Sequence, residues 1–79
     1  MVRILVKTET FAIDDRTYPV RYFELSTPRG HRRFSAEIVL APNDRIILDD
    51  DSVVNLEARA MRLVPATLYS RMLARATAA

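Results

Sequence analysis

The feature that most constrains this chain is a change of hydrophobic period at Asp49-Asp50-Asp51-Ser52. Before it, apolar positions are rich in β-branched and aromatic residues and alternate roughly every second residue, as strands require. After it, Val53, Val54, Leu56, Ala60, Met61 and Val64 recur at broadly helical spacing. Strands first and helices after define an α+β chain. The expected architecture is a three- to four-stranded antiparallel meander over 1–48 followed by two C-terminal helices within 49–79, all in one small domain spanning 1–79.

The strand runs are Val2 to Ile13, Tyr18 to Ser26, Arg32 to Ala41 and a short Arg45 to Leu48, each bounded by turn residues. Asp14-Asp15-Arg16-Thr17 supplies the first turn. Thr27-Pro28-Arg29-Gly30 has the proline and glycine spacing of a type I turn, and Pro42-Asn43-Asp44 reads as a third, tight turn. A loop of two or four residues at the second turn puts odd positions of the second strand beside even positions of the third. That groups Phe23, Leu25, Phe34, Ala36, Ile38 and Leu40 as the core face; with the four-residue loop the opposite face pairs Glu24 with Arg33, and Lys7 sits beside Glu24 if Ile13 pairs with Tyr18. Pairing Ile13 with Tyr18 adds Ile4 and Val6 to the core face. Leu5, Phe11, Ile13, Tyr18, Val20, Tyr22 and Val39 then fall on the other one, which is too apolar to face water.

In the helical part, Asp49 to Ser52 supply N-caps and first-turn acids that complement the positive end of a helix dipole. Pro65 cannot sit inside a straight helix without losing a backbone hydrogen bond, but it suits the first position of a new one. The sequence therefore predicts a break near Val64 and a second helix from Pro65 to about Ala76, with Leu68, Tyr69, Met72, Leu73 and Ala76 as its apolar stripe and Arg71 and Arg75 on its polar side.

Little here supports chemistry. With no cysteine, a thiolate nucleophile, a disulfide and a Cys-based metal site are excluded together. His31 is the single histidine, and Ser26, Ser35, Ser52 and Ser70 have no nucleophile-elbow context. One glycine cannot make a phosphate loop, and the acidic run lacks the alternating ligands and glycine of a calcium loop. The expectation is a non-catalytic chain with no cofactor, no metal and no small-molecule ligand. The apolar stretch in Met1 to Lys7 is too short for a signal or membrane span, which makes the cytoplasm the expected location and a membrane partner unexpected.

Function is therefore sought on surfaces. A chain of 79 residues buries only about 60% of its unfolded surface, so a second copy or a partner is a useful source of further burial. The apolar face around Phe11, Ile13, Tyr18, Val20 and Tyr22 is covered either by the chain's own helices or by another molecule. The leading expectation is a protein-interaction module that self-associates as a homodimer, with those five residues at its interface. The alternative is a nucleic-acid-binding or regulatory module using the hairpin cluster Arg29, His31, Arg32 and Arg33, with Arg21 beside it. Two observations weigh against that alternative. The net charge is only +2, and eleven of the twelve basic residues are arginine in a chain also rich in alanine, a bias that base composition explains.

Overall fold

The structure, a computed structural model, describes residues 2–77. Met1, Ala78 and Ala79, which belong to the expected 1–79 domain, lie outside the described residues. Four antiparallel strands run in a meander of order β1-β2-β3-β4: β1 Arg3–Ile13, β2 Arg16–Ser26, β3 Arg32–Ala41 and β4 Asp44–Asp50. A single helix, α1 Val53–Thr77, follows and packs across β3 and β4. The α+β class and the meander are as the sequence implies, with the fourth strand longer than expected.

The expected second helix is not separate. Pro65 lies inside α1, on its exposed side, and the 25 residues form one continuous helix. A proline in mid-helix removes one backbone donor and crowds the carbonyl four residues back, that of Met61. Here that carbonyl belongs to an exposed residue, while Leu56, Ala60 and Val64 on the inner side are fully buried against the sheet. Packing of the inner stripe carries the helix through the local defect, as tertiary burial commonly overrides propensity. Ser52 is the N-cap: its Oγ accepts from the Asn55 amide at 3.0 Å and its carbonyl accepts from the Leu56 amide at 3.2 Å. No acid lies in the first helical turn; Asp49 and Asp50 end β4 instead.

The register differs from expectation at both of the first two turns, and each difference has a local cause. At the β1–β2 turn, Ile13 pairs with Arg16, and Asp14 and Asp15 both take positive φ (49° and 67°), the backbone of a two-residue hairpin turn. Phe11, Ile13, Tyr18, Val20 and Tyr22 still share one face. At the β2–β3 turn the Thr27 carbonyl accepts from the Gly30 amide at 3.0 Å, as the turn motif predicts, with Gly30 at φ 75°. The Thr27 hydroxyl then donates to the His31 carbonyl and accepts from its amide, both at 3.0 Å, so His31 stays in the loop. The ladder closes only at Ser26–Arg32, after five loop residues, and even positions of β2 meet even positions of β3.

That one extra residue moves the core. Val20, Tyr22, Ala36, Ile38 and Leu48 lie fully or nearly fully buried under Leu56, Ala60 and Val64, with Phe11, Ile13, Phe34, Leu40 and Ile46 packed around them. Phe23 and Leu25, expected in the core beside Phe34, lie on the opposite face. A β-bulge between Leu5 and Lys7 also exchanges the start of β1, so that Leu5, expected on the other face from Phe23, stands across from it and Ile4 across from Glu24. Pro19 sits one residue beyond the β2–β3 ladder, where its missing N–H leaves no gap in that ladder.

Candidate functional surfaces

Three surfaces remain after the core is built: the open face of the sheet, the β2–β3 turn and the outer side of α1. The residues expected at a protein interface lie mainly in the core instead, with only Ile13 and Tyr18 reaching the edge of a groove beside α1. Val20 and Tyr22 are fully buried, Tyr18 nearly so, and Phe11 and Ile13 are half-buried beside them under α1. The cover that this face requires is the chain's own helix. Its edge is closed by a polar strap: Lys7 donates to Glu9 at 2.9 Å and also to Glu57 of α1, while the Tyr22 hydroxyl donates to Glu9 at 3.2 Å. Burial, reinforced by the Glu9 carboxylate, pushes the Tyr22 phenol up to about 12. The Lys7 ammonium is held above its ordinary value by its hydrogen bonds to Glu57 and Glu9.

On the open face, Glu37 sits in the middle of β3, where its side chain is only 9% exposed although no helix covers it. Three guanidiniums enclose it: Arg21 at 3.2 Å from the neighbouring strand, Arg45 at 3.6 Å from β4 and Arg3 at 3.6 Å from β1. Arg3 reaches across the sheet by lying over the Phe23 ring, 3.7 Å from its centroid, which accounts for the near-complete burial of an aromatic on an uncovered face. None of the three forms a hydrogen bond to Glu37 among the described residues. Each guanidinium, with side chains about half exposed, therefore keeps donors for an outside acceptor. Leu5 and Ile47, 52% and 59% exposed, flank the cluster.

At the β2–β3 turn, Arg29, His31, Arg32 and Arg33 do come together, lining a depression of about 630 Å³ with Thr27, Pro28 and Asp51. Two of its arginines are already engaged: Arg32 donates to Glu24 at 2.7 Å, and Arg33 pairs with Asp51. Sequence reasoning put Glu24 opposite Arg33; with the five-residue loop Glu24 stands opposite Phe34, and its carboxylate pairs with Arg32 instead. Arg21 is not part of this cluster. It lies in the Glu37 cluster, five residues down β2 from the turn, or about 17 Å of strand.

The outer side of α1 is the third surface. Val54, Met61, Tyr69 and Met72 are 73%, 69%, 60% and 59% exposed, and Leu73 is 48% exposed. The stripe expected on a second helix is thus mostly in solvent, with only Leu68 half-buried. From Tyr69 to Ala76 every residue is exposed, because the helix runs past the sheet in a molecule 48 × 23 × 20 Å. An ion pair ties this extension to the sheet: Arg71 donates to both carboxylate oxygens of Asp44, at 2.6 and 2.8 Å, and lowers the Asp44 pKa below its ordinary value. A groove of about 480 Å³ lies between the β1–β2 turn and this part of α1, lined by Ile13, Tyr18, Pro65, Leu68, Tyr69 and Met72 among others.

Among the described residues, no three of His, Cys, Asp and Glu gather in a metal-holding group, and no helix is long and apolar enough to cross a membrane. No family model matches the chain, and no curated protein or solved structure matches it either.

Proposed function

We propose that this chain is a small non-catalytic protein-interaction module that self-associates. The observation carrying this reading is the outer side of α1, where Val54, Met61, Tyr69, Met72 and Leu73 are exposed and nothing among the described residues covers them. Contiguous apolar surface on a soluble domain is a common mark of an interface, and the exposed methionines and tyrosine are residue types enriched there. The expected interface moves accordingly, from the sheet residues Phe11 to Tyr22 to the helix residues Val54 to Met72. Light scattering over a hundredfold concentration range tests the reading. Mass should rise from 9.0 kDa toward twice that value; a constant monomer mass would remove it.

A second reading, binding of nucleic acid, is favoured by the Arg3–Arg21–Arg45 cluster. Three guanidiniums against one carboxylate leave a local surplus of positive charge on a flat, accessible sheet face, which suits phosphate contacts. Such contacts release counterions, so anisotropy titrations with single-stranded DNA and RNA should show affinity falling steeply with salt. Replacing Arg3, Arg21 and Arg45 by Ala should abolish the binding, while replacing Arg29, Arg32 and Arg33 should weaken it less. Salt-independent binding, or none at low salt, would leave the cluster as a structural cover for Phe23 and Glu37.

A further inference from the structure

The open face of the sheet carries charged and apolar groups in one surface. The register sets Leu5 beside Phe23 in one row across the strands, and Arg21, Glu37 and Ile47 in the next. Arg21, Arg45 and Arg3 stand 3.2, 3.6 and 3.6 Å from the single Glu37 carboxylate, which leaves a surplus of positive charge at this spot. Arg3 has a second property. One side of its guanidinium lies over the Phe23 ring, 3.7 Å from the centroid, and the side chain is 51% exposed. A planar guanidinium resting on a ring by one side offers its other side to a further planar group, and nucleobases stack on such planes. Leu5 on β1 and Ile47 on β4, the outermost strands, are more than half exposed and add apolar contact for base faces.

Shape decides between a single strand and a duplex. Four strands spaced about 4.8 Å apart make a face roughly 14 Å wide, broader than the major groove of roughly 12 Å, so this face cannot enter the groove to reach base edges. A duplex would offer it phosphates alone and leave Leu5, Ile47 and the outer side of Arg3 unused. A single strand offers phosphates and unstacked bases together. We infer that the open face binds single-stranded nucleic acid lying across the four strands, with phosphates on Arg21 and Arg45 and a base stacked on Arg3. This rests on the nucleic-acid reading and names the form of nucleic acid and the contacts that select it. Phe23 lies beneath Arg3 and orients it.

Fluorescence anisotropy with probes of equal length tests this: an oligothymidylate, the same backbone with abasic sites in place of thymidines, a duplex, and oligoglutamate as a polyanion without bases. The unmodified chain should bind the oligothymidylate about tenfold more tightly than each of the others, the scale of one stacked base. Arg3→Lys keeps the charge and loses the planar surface, so affinity for oligothymidylate should fall about tenfold with its salt dependence unchanged. Arg21→Ala should instead reduce the slope of log affinity against log salt by about one, for the thymidylate and abasic strands alike. Equal affinity for those two strands would overturn the stacking inference and leave the nucleic-acid reading, phosphate contact alone, in place. Tighter binding of the duplex would overturn the assignment to a single strand, and oligoglutamate bound as well as oligothymidylate would make the face a site for acidic protein instead. No binding of any probe at low salt would remove the inference and the nucleic-acid reading together. Undiminished binding by Arg3→Lys, with circular dichroism showing the fold kept, would overturn the role given to Arg3.

Discussion

The two sides of α1 carry the same kind of residue in opposite surroundings. On the inner side Leu56, Ala60 and Val64 are fully buried against Val20, Ala36, Ile38 and Leu48; on the outer side Val54, Met61 and Met72 are more than half exposed. An ordinary surface helix pairs an apolar stripe with a polar back, because only the stripe gains from leaving water. Here the back is apolar as well, and the inner stripe alone satisfies the sheet. The difference separates two roles: the inner side makes the fold, and the outer side is the surface on which the proposed self-association rests. The sheet shows the contrasting solution, for its uncovered face shields Phe23 and Glu37 with arginine side chains rather than with an apolar layer.

The largest expected effect tests the inner side. Leu56→Ala removes a fully buried side chain from the middle of the helix–sheet contact and should cost about 2–5 kcal/mol in urea unfolding, enough to leave so small a domain largely unfolded. Met61→Ala, one turn further on the outer side, should change unfolding of the monomer by no more than about 0.5 kcal/mol. If the two variants lose equal stability, the division between the sides of the helix is wrong.

Next comes Pro65, the residue that sequence reasoning took as a helix start. Restoring its amide as Pro65→Ala supplies a donor for the Met61 carbonyl in a helix that already continues through this point. Thermal unfolding should show a gain of about 1–3 kcal/mol, on the scale of proline's cost in helix interiors. A loss of stability would mean that the break at Val64 is real.

A comparable but opposite change is expected on the open face. Glu37→Gln leaves Arg3, Arg21 and Arg45 facing one another without their shared carboxylate, and should destabilise by about 1–3 kcal/mol. Added salt should recover part of the loss by screening the three like charges. An unchanged midpoint in urea would show that the arginines disperse into solvent at no cost.

The smallest effect concerns the helix extension. Arg71 holds the Asp44 pKa below its ordinary value, so the folded state binds this proton less readily than the unfolded chain does. The pair's contribution is therefore complete above the ordinary carboxylate range, at about pH 4, and fades as pH falls through the lowered pKa. Hydrogen exchange at Leu68 to Arg71 should accelerate over that acid window, and Asp44→Asn should give the faster exchange already at neutral pH. Equal exchange in the two proteins at neutral pH would show that the pair does not hold the extension.

Much of this was legible in the sequence. The bounds Arg32–Ala41 of β3, the alternation of Phe34, Ala36, Ile38 and Leu40 against Ser35 and Glu37, and the grouping of Phe11, Ile13, Tyr18, Val20 and Tyr22 on one face all follow from period-two patterning. The composition of the core did not, because it turns on whether one hydroxyl, that of Thr27, keeps His31 in the loop, and a one-residue change in loop length transfers every β2 side chain to the other face. Pro65 was misread for a related reason. Its local penalty was visible in the sequence, whereas the packing of Leu56, Ala60 and Val64 that outweighs it is a tertiary property. The Glu37 cluster left one trace, a glutamate flanked by Ala36 and Ile38 in an otherwise apolar strand. Its arginines come from three other strands, and only the assembled sheet brings them to it.

The measurement that most directly tests the account is sedimentation equilibrium of the unmodified chain and of Met61→Glu, with circular dichroism of the same samples. The account predicts a concentration-dependent dimer for the unmodified chain, and for Met61→Glu a monomer with the same helix and strand content. A variant that dimerises as well as the unmodified chain, or one that unfolds, would contradict the claim that the outer side of α1 is an interface and not part of the fold.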